Sequence, residues 1–326
     1  MKRLRTGIIG TGAACRLLHL PALTQLQDRY AISALANRSP DKAIKLASEI
    51  GLSRELVFGD YKELLKLKDL DLVIIAVPPD QNRRIAEDAM KAGKDVICEK
   101  PLASTLEDAE RMVSFSDTYG KSLLLAENLR YDRRIIRIRE LIDSGTVDPP
   151  FLMTWRWIQK VPVDDPIAAR PWRGSSGLPG GAFTDHGIHM IDGVRFLLGE
   201  LEHVSGFGKS VVDHVSGEDT ALWQARCSSG ALCSVQWTFA ADEDEHFGIS
   251  LWSRNGRIRV DGALVESCRG DKVERWDGSS EENSFYHEFL DFHHVLTGGG
   301  EPLIGLEDGV RDLEAAYRIH ASFTQK

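Results

Sequence analysis

Three groups of side chains in this 326-residue sequence have the types and spacing for chemistry. The first is Glu99-Lys100-Pro101, which follows the apolar run Val96-Ile97-Cys98. That pattern reads as a short buried strand ending on a carboxylate, an ammonium and a proline. Ligands of open parallel sheets bind at the C-terminal strand edge, so Lys100 stands where a substrate and a cofactor can both reach it. The Lys100-Pro101 bond is expected to be cis, a form open to X-Pro at modest cost. The second group is Asp185, His186, His189 and Asp192, behind Gly180-Gly181. A helix from about Phe183 puts Phe183, Ile191, Val194 and Leu198 on one face and Asp185, His189 and Asp192 on nearly the opposite one, a candidate site. The third is His287, Asp291 and His294, opposite Phe285, Phe289, Phe292 and Leu296 on a later helix; with no supporting ligands in view it reads as a solvated face, not a metal site. A metal reading of Asp185, His186 and His189 ranks last, because His186 leaves the line of the other two.

The elements that must position these groups follow two patterns. Leu4 to Gly10 reads as a buried strand running into Gly10-Thr11-Gly12-Ala13-Ala14-Cys15, a glycine turn and helix start close to the dinucleotide fingerprint, with Cys15 in the third glycine place. Ala31 to Ala36 is a second strand, after which Ser39-Pro40 opens a helix. Asn37 occupies the place where an acid would hold the adenosine ribose. Leu72 to Val77 reads as a central parallel strand ending in Pro78-Pro79. Next comes a helix with the stripe Ile85, Ala86, Ala89 and Met90, ended by Gly93, and then the strand that delivers Glu99 and Lys100. A capping box at Ser104-Thr105-Leu106-Glu107 precedes another helix and the strand Ser122 to Ala126. This alternation predicts a doubly wound α/β Rossmann domain over residues 1–126.

From Phe151 the pattern changes. Phe151 to Ile158, Leu201 to Val212, Thr220 to Cys227, Ala231 to Phe239, Phe247 to Ser253 and Arg257 to Val260 read as strands of a large, mostly antiparallel open sheet. They predict an α+β domain over 127–326 for substrate binding and oligomerisation, with C-terminal helices packing back on the first domain. Val161 to Gly181, rich in Pro, Gly and charge, reads as a functional loop. Ala221, Trp223 and Ala225 alternate with Leu222, Gln224 and Arg226, so both faces carry apolar residues, one for helices and one for a partner subunit.

Composition narrows the function classes. A formal charge of -9 argues against nucleic acid or an anionic membrane as partner, because phosphate binding needs a basic surface. No signal-peptide core or membrane span is apparent, and a cytoplasmic location is expected. Cys15, Cys98, Cys227, Cys233 and Cys268 lack the spacing of zinc or redox pairs and read as reduced, packed thiols.

Taken together, Gly10-Thr11-Gly12, Glu99-Lys100-Pro101 and Gly180-Gly181-x-x-x-Asp185-x-Gly187-x-His189-x-Ile191-Asp192 resemble the Gfo/Idh/MocA family of NAD(P)-dependent oxidoreductases, across essentially the whole chain. The resemblance implies oxidation of a sugar or polyol hydroxyl, or reduction of the carbonyl, with Lys100, Asp185 and His189 as the catalytic set. It implies cofactor contacts from Gly10, Thr11, Gly12, Ala13, Ala14, Asn37, Arg38, Ser39, Val77, Pro78, Asn82, Glu99 and Lys100. Substrate contacts are implied for Lys100, Arg130, Tyr131, Trp172, Arg173, Asp185 and His189, and His186 can add one where an aliphatic residue is common. Cys15, Pro79 and Asn82 depart from the common pattern. The chemistry suits the residue types. His189 serves as general base, Asp185 binds a substrate hydroxyl and raises the basicity of His189, and Lys100 donates to the reacting oxygen. Asn37, Arg38 and Ser39 together lean toward NADP, with NAD possible, since no acid repels a 2′-phosphate and Arg38 can grip one. A homodimer or homotetramer through the C-terminal sheet is expected. The rival readings are a member that keeps its cofactor permanently, as aldose–aldose oxidoreductases and NAD-dependent glycosidases do, and a non-catalytic NAD(P)-binding sensor.

Overall fold

The computed structural model of the chain describes residues 2–166, 172–175, 177–242 and 246–323. The strands in chain order are β1 (Leu4–Ile9), β2 (Tyr30–Ala36), β3 (Val57–Phe58), β4 (Leu72–Ile75), β5 (Asp95–Glu99), β6 (Leu123–Ala126), β7 (Leu152–Ile158), β8 (Leu201–Lys209), β9 (Thr220–Cys227), β10 (Leu232–Thr238), β11 (His246–Trp252), β12 (Arg257–Asp261), β13 (Leu264–Arg269) and β14 (Lys272–Asp277). The helices are α1 (Leu20–Gln25), entered through a π-turn at Cys15–His19, α2 (Pro40–Glu49), α3 (Tyr61–Leu65), α4 (Asn82–Lys91), α5 (Leu106–Val113), α6 (Phe115–Tyr119), α7 (Arg133–Asp143), α8 (Trp172–Ser175), α9 (Ala182–Leu198), α10 (Ser284–Leu296) and α11 (Leu306–Ser322). The chain divides into two compact units, Met1–Asn128 with Phe285–Val310, and Leu129–Ser284 with Arg311–Lys326.

The first unit is built on six parallel strands in the order β3-β2-β1-β4-β5-β6. The strand order reverses between β1 and β4, and that switch point opens a crevice at the C-terminal strand ends. β4 and β6 are buried at every position, as continuous apolar runs in a two-sided parallel sheet must be. Ile85, Ala86, Ala89 and Met90 of α4 are all buried, and Gly93 at φ 77° lies just past the helix end. The cap of α5 differs from the expected box by one residue. Thr105 is the N-cap, its Oγ accepting from the Asp108 N–H at 3.2 Å, so Asp108 rather than Glu107 holds the third helical position. Ser39 stands at the N-cap of α2 with Pro40 next, but its side chain makes no capping bond.

The second unit carries an eight-stranded sheet in the order β14-β13-β12-β11-β7-β10-β9-β8, antiparallel apart from the β7–β10 pair. Its inner face buries Trp155, Trp223 and Trp237 against α7, α9 and the end of α11. Each such indole removes roughly 150–250 Å² from water, about 4–6 kcal/mol of gross burial before the entropy of ordering. The sequence reading stopped at β12 and missed the hairpin β13–β14. They lie at one end of the sheet, with β14 as its edge strand, and their charged outward positions leave a weak apolar period. The expected loop from Val161 to Gly181 holds the short helix α8, and residues 167–171 and 176 of it lie outside the described set.

Candidate functional site

The glycine turn sits where β1 ends at the switch point. Gly10 adopts φ 98°, and a Cβ there would lie 2.2 Å from the Ala76 carbonyl oxygen, so the fold's own packing demands glycine. Gly12 is different. A Cβ at Gly12 meets nothing within 4 Å, so the protein's own packing supplies no reason for glycine and leaves open space beside the turn. Beside it the Thr11 hydroxyl is buried with no hydrogen-bond partner among the described residues. An open backbone turn ahead of a helix, with an orphaned hydroxyl, fits the pyrophosphate of a dinucleotide. Ala13 and Ala14, half-buried, complete the turn, and the Cys15 thiol is buried and pushed up to about 12 by desolvation.

Asn37 ties this turn to the end of β2. Its Oδ1 accepts from the Thr11 N–H at 3.2 Å and its Nδ2 donates to the Ser39 carbonyl at 2.9 Å. Arg38 and Ser39 are exposed. Asp80, whose carboxyl is raised by burial, feels the opposing charges of Arg38 and Arg84, which puts two guanidinium groups at this sheet edge.

Two strands along, β5 delivers Glu99 and Lys100, both half-buried, and the Lys100-Pro101 bond is cis, as expected. Val77 and Pro78, also half-buried, leave the end of β4. Asn82 is turned to a structural task, its Nδ2 donating at 3.1 Å to both the Glu99 and the Pro101 carbonyls. A residue absent from the sequence reading joins them. His19 closes the π-turn, is fully buried, and sets its Nε2 2.5 Å from the Glu99 carboxylate. A histidine four residues past Cys15 is visible in the sequence, but nothing there announces a π-turn that aims it at β5.

In the second unit the polar side of α9 is buried. Asp185 accepts from Arg173 Nε at 2.9 Å and from its terminal nitrogen at 2.7 Å, with both residues almost wholly buried. Its charge is therefore matched by a guanidinium. Asp192 is paired in the same way with Arg130, through Nε at 2.9 Å and through the terminal nitrogen. Both arginines anticipated as substrate contacts thus hold carboxylates of α9. His189 retains slight exposure. His186 does leave the Asp185–His189 line. Its ring lies 4.6 Å from Trp157, 4.7 Å from Phe239 and 5.6 Å, stacked, from Trp237, and it meets the His189 ring edge-on at 5.4 Å. Tyr131 is buried and Trp172 half-buried.

Among the described residues no three His, Cys, Asp or Glu side chains are gathered to hold a metal ion. The five cysteines are free and buried. On α10, His287 and Asp291 are half-buried and His294 is exposed, while Glu288 and His293 are buried along with Phe289 and Phe292. Among the described residues no helix is long and apolar enough to cross a membrane.

Comparison with known proteins agrees with this geometry. Residues 4–126 match the model of the oxidoreductase family with NAD-binding Rossmann fold, and residues 135–262 match the GFO/IDH/MocA C-terminal domain. The chain is 27% identical to myo-inositol 2-dehydrogenase of Thermotoga maritima, over 99% of this chain and 97% of that protein. It is 28% identical to D-apiose dehydrogenase of Paraburkholderia graminis, over 81% of this chain and 66% of the relative. The crystal structure of an oxidoreductase from Thermotoga maritima superposes with a TM-score of 0.89 at 28% identity, covering 99% of this chain and 97% of the other. With an open glycine turn on a doubly wound parallel sheet, a lysine at the same sheet edge and both family models matched in order, the chain belongs to the Gfo/Idh/MocA family of oxidoreductases.

Proposed function

We propose that the protein is an NAD(P)-dependent dehydrogenase or reductase of a sugar, sugar derivative or inositol-like polyol. The observation that carries this reading is the pairing, on one sheet edge, of a dinucleotide turn left open at Gly12 with Lys100 at the end of β5. Relatives named for myo-inositol and D-apiose support the substrate class. When bound, the nicotinamide takes up or returns the hydride. The chain's own residues handle the oxygen and its proton. Lys100 donates to the reacting oxygen and stabilises developing alkoxide, while His189 accepts the hydroxyl proton on oxidation and returns it on reduction. Asp185, paired with Arg173, binds a substrate hydroxyl in this reading.

NADP is the preferred cofactor in this reading. Asn37 carries no charge to repel a 2′-phosphate and its amide is committed to the turn, while Arg38 is exposed at the strand end. We also assign the outward face of the eight-stranded sheet to a second copy of the chain.

A screen of sugars, inositols and their keto forms with NAD and NADP, read by absorbance of the reduced cofactor, tests the activity. Lys100→Met and His189→Ala should each slow the chemical step by about 10²–10⁴-fold with little change in cofactor affinity. Wild-type turnover in either variant would remove that residue's role. Arg38→Ala should weaken NADP binding and spare NAD. Nucleotide retained through purification, with turnover independent of added cofactor, would favour the permanently bound alternative.

A further inference from the structure

The first unit contains a buried polar chain that the proposed reaction does not use. His19 is fully buried, with Nε2 2.5 Å from the Glu99 carboxylate and Nδ1 without a partner among the described residues. Its ring packs on Phe285 and Phe289 of α10, with centroids at 6.0 and 5.5 Å. Glu288 lies on the same helical stripe, at i+3 from Phe285 and next to Phe289, so its carboxyl faces the same pocket. It is fully buried, and neither of its oxygens has a partner among the described residues.

These orphans are complementary. With Nε2–H donating to Glu99, Nδ1 is the ring nitrogen left without a partner among the described residues. Burial, and then the charges of Glu99, Glu127 and Asp291, push the Glu288 carboxyl well above its ordinary range, toward the protonated form that can donate. Glu288 lies close enough to Glu99 for the two carboxyls to feel each other's charge. π-turns are rare and recur at functional sites, and here the turn ends on the residue that reaches Glu99.

We propose that His19 is a positioning residue for the dinucleotide site: backed by Glu288, it holds the Glu99 carboxylate at the end of β5 in the orientation that receives a ribose hydroxyl of the cofactor. This rests on the reading of the first unit as a cofactor site, with Glu99 among the contacts. Asn82 anchors the Glu99 backbone and His19 its side chain, so the carboxylate is fixed at both ends before any ligand arrives.

The test is a double-mutant cycle on cofactor affinity, by calorimetric titration of the full chain with NADP⁺ and NAD⁺. His19→Phe, which keeps the ring packing and removes both nitrogens, should raise Kd about ten-fold or more, the scale of a lost hydrogen bond to a charged group. His19→Gln, which restores a donor toward Glu99, should recover most of that loss. His19→Phe with Glu99→Gln should lose little more than Glu99→Gln alone, because the two act as one unit. Affinity within two-fold of wild type in His19→Phe, no recovery in His19→Gln, or additive losses would overturn the proposal. Should His19→Phe fail to fold, histidine ¹⁵N spectra of the wild type decide. An Nε2–H tautomer that is lost in Glu99→Ala, which removes the acceptor, supports the chain, and an Nδ1–H tautomer in the wild type, or an Nε2–H tautomer unchanged in Glu99→Ala, rejects it. A wild type that binds neither nucleotide defeats the cofactor reading itself, an outcome distinct from any of these.

Discussion

Glu288 has no bond within the described protein to offset its complete burial. Desolvation first, and then the negative charges of Glu99, Glu127 and Asp291, hold its carboxyl well above the ordinary range. In the unfolded chain the same group titrates near its usual value of about 4.3. Above that pH the unfolded chain has released a proton that the native state still binds, so this residue's contribution to stability falls as pH rises, until the native carboxyl itself ionises. Glu288→Gln keeps the shape and a donor and has nothing to ionise. Its melting temperature should exceed the wild type's by more at pH 8 than at pH 5, and a gap that does not change with pH would reject the assignment. At this scale the sequence was legible for the place of Lys100 just past a strand end and for the glycine turn at Gly10. It was mute on Glu288 and His19. A glutamate among phenylalanines reads as a helix surface, and only tertiary packing buries it.

Helix α9 concentrates the chemistry of the second unit, and its charges are all answered from elsewhere in that unit. Arg173 answers Asp185, Arg130 answers Asp192, and Arg195 is held by Glu200 and Asp312. Breaking one such buried pair from one side strands a charge, while removing both partners does not. Arg130→Met should therefore lower unfolding stability by about 3–5 kcal/mol in urea titration, and Arg130→Met with Asp192→Leu should regain most of it. If the double variant were as weak as the single one, the loss would come from packing and not from charge. The helix itself was readable from its 3.6-residue period, and Phe183, Ile191, Val194 and Leu198 are buried as that period requires. Its partners were not. Arg130 lies 62 residues from Asp192, a separation at which no local pattern links them. The period shows the polar stripe but not the ion pairs that bury it.

Across the whole molecule, the sheet of the second unit leaves an unusual amount of apolar side chain uncovered. Phe207 is 71% exposed, Leu222 46% and Leu232 53%, and strand register places all three on the outward face. With a second copy as the assigned occupant, Phe207→Lys with Leu222→Lys should reduce the mass found by light scattering to that of one chain. A wild type already monomeric would remove the assignment. Both sheets were legible in outline because their central strands are either continuously apolar or cleanly alternating; β13 and β14, charged along one side, were not. The return of residues 285–310 to the first unit has a consequence for how the chain is made. Tyr30 donates to the Phe289 carbonyl, and His293 bonds the Lys2 carbonyl. At elongation rates of about 5–20 residues per second, the ribosome needs on the order of ten seconds or more after residue 128 before α10 begins to emerge. Until then the nascent first unit presents a bare face around Tyr30 and His19. A chain growing in the cell thus waits, open on that side, for a lid encoded near its far end.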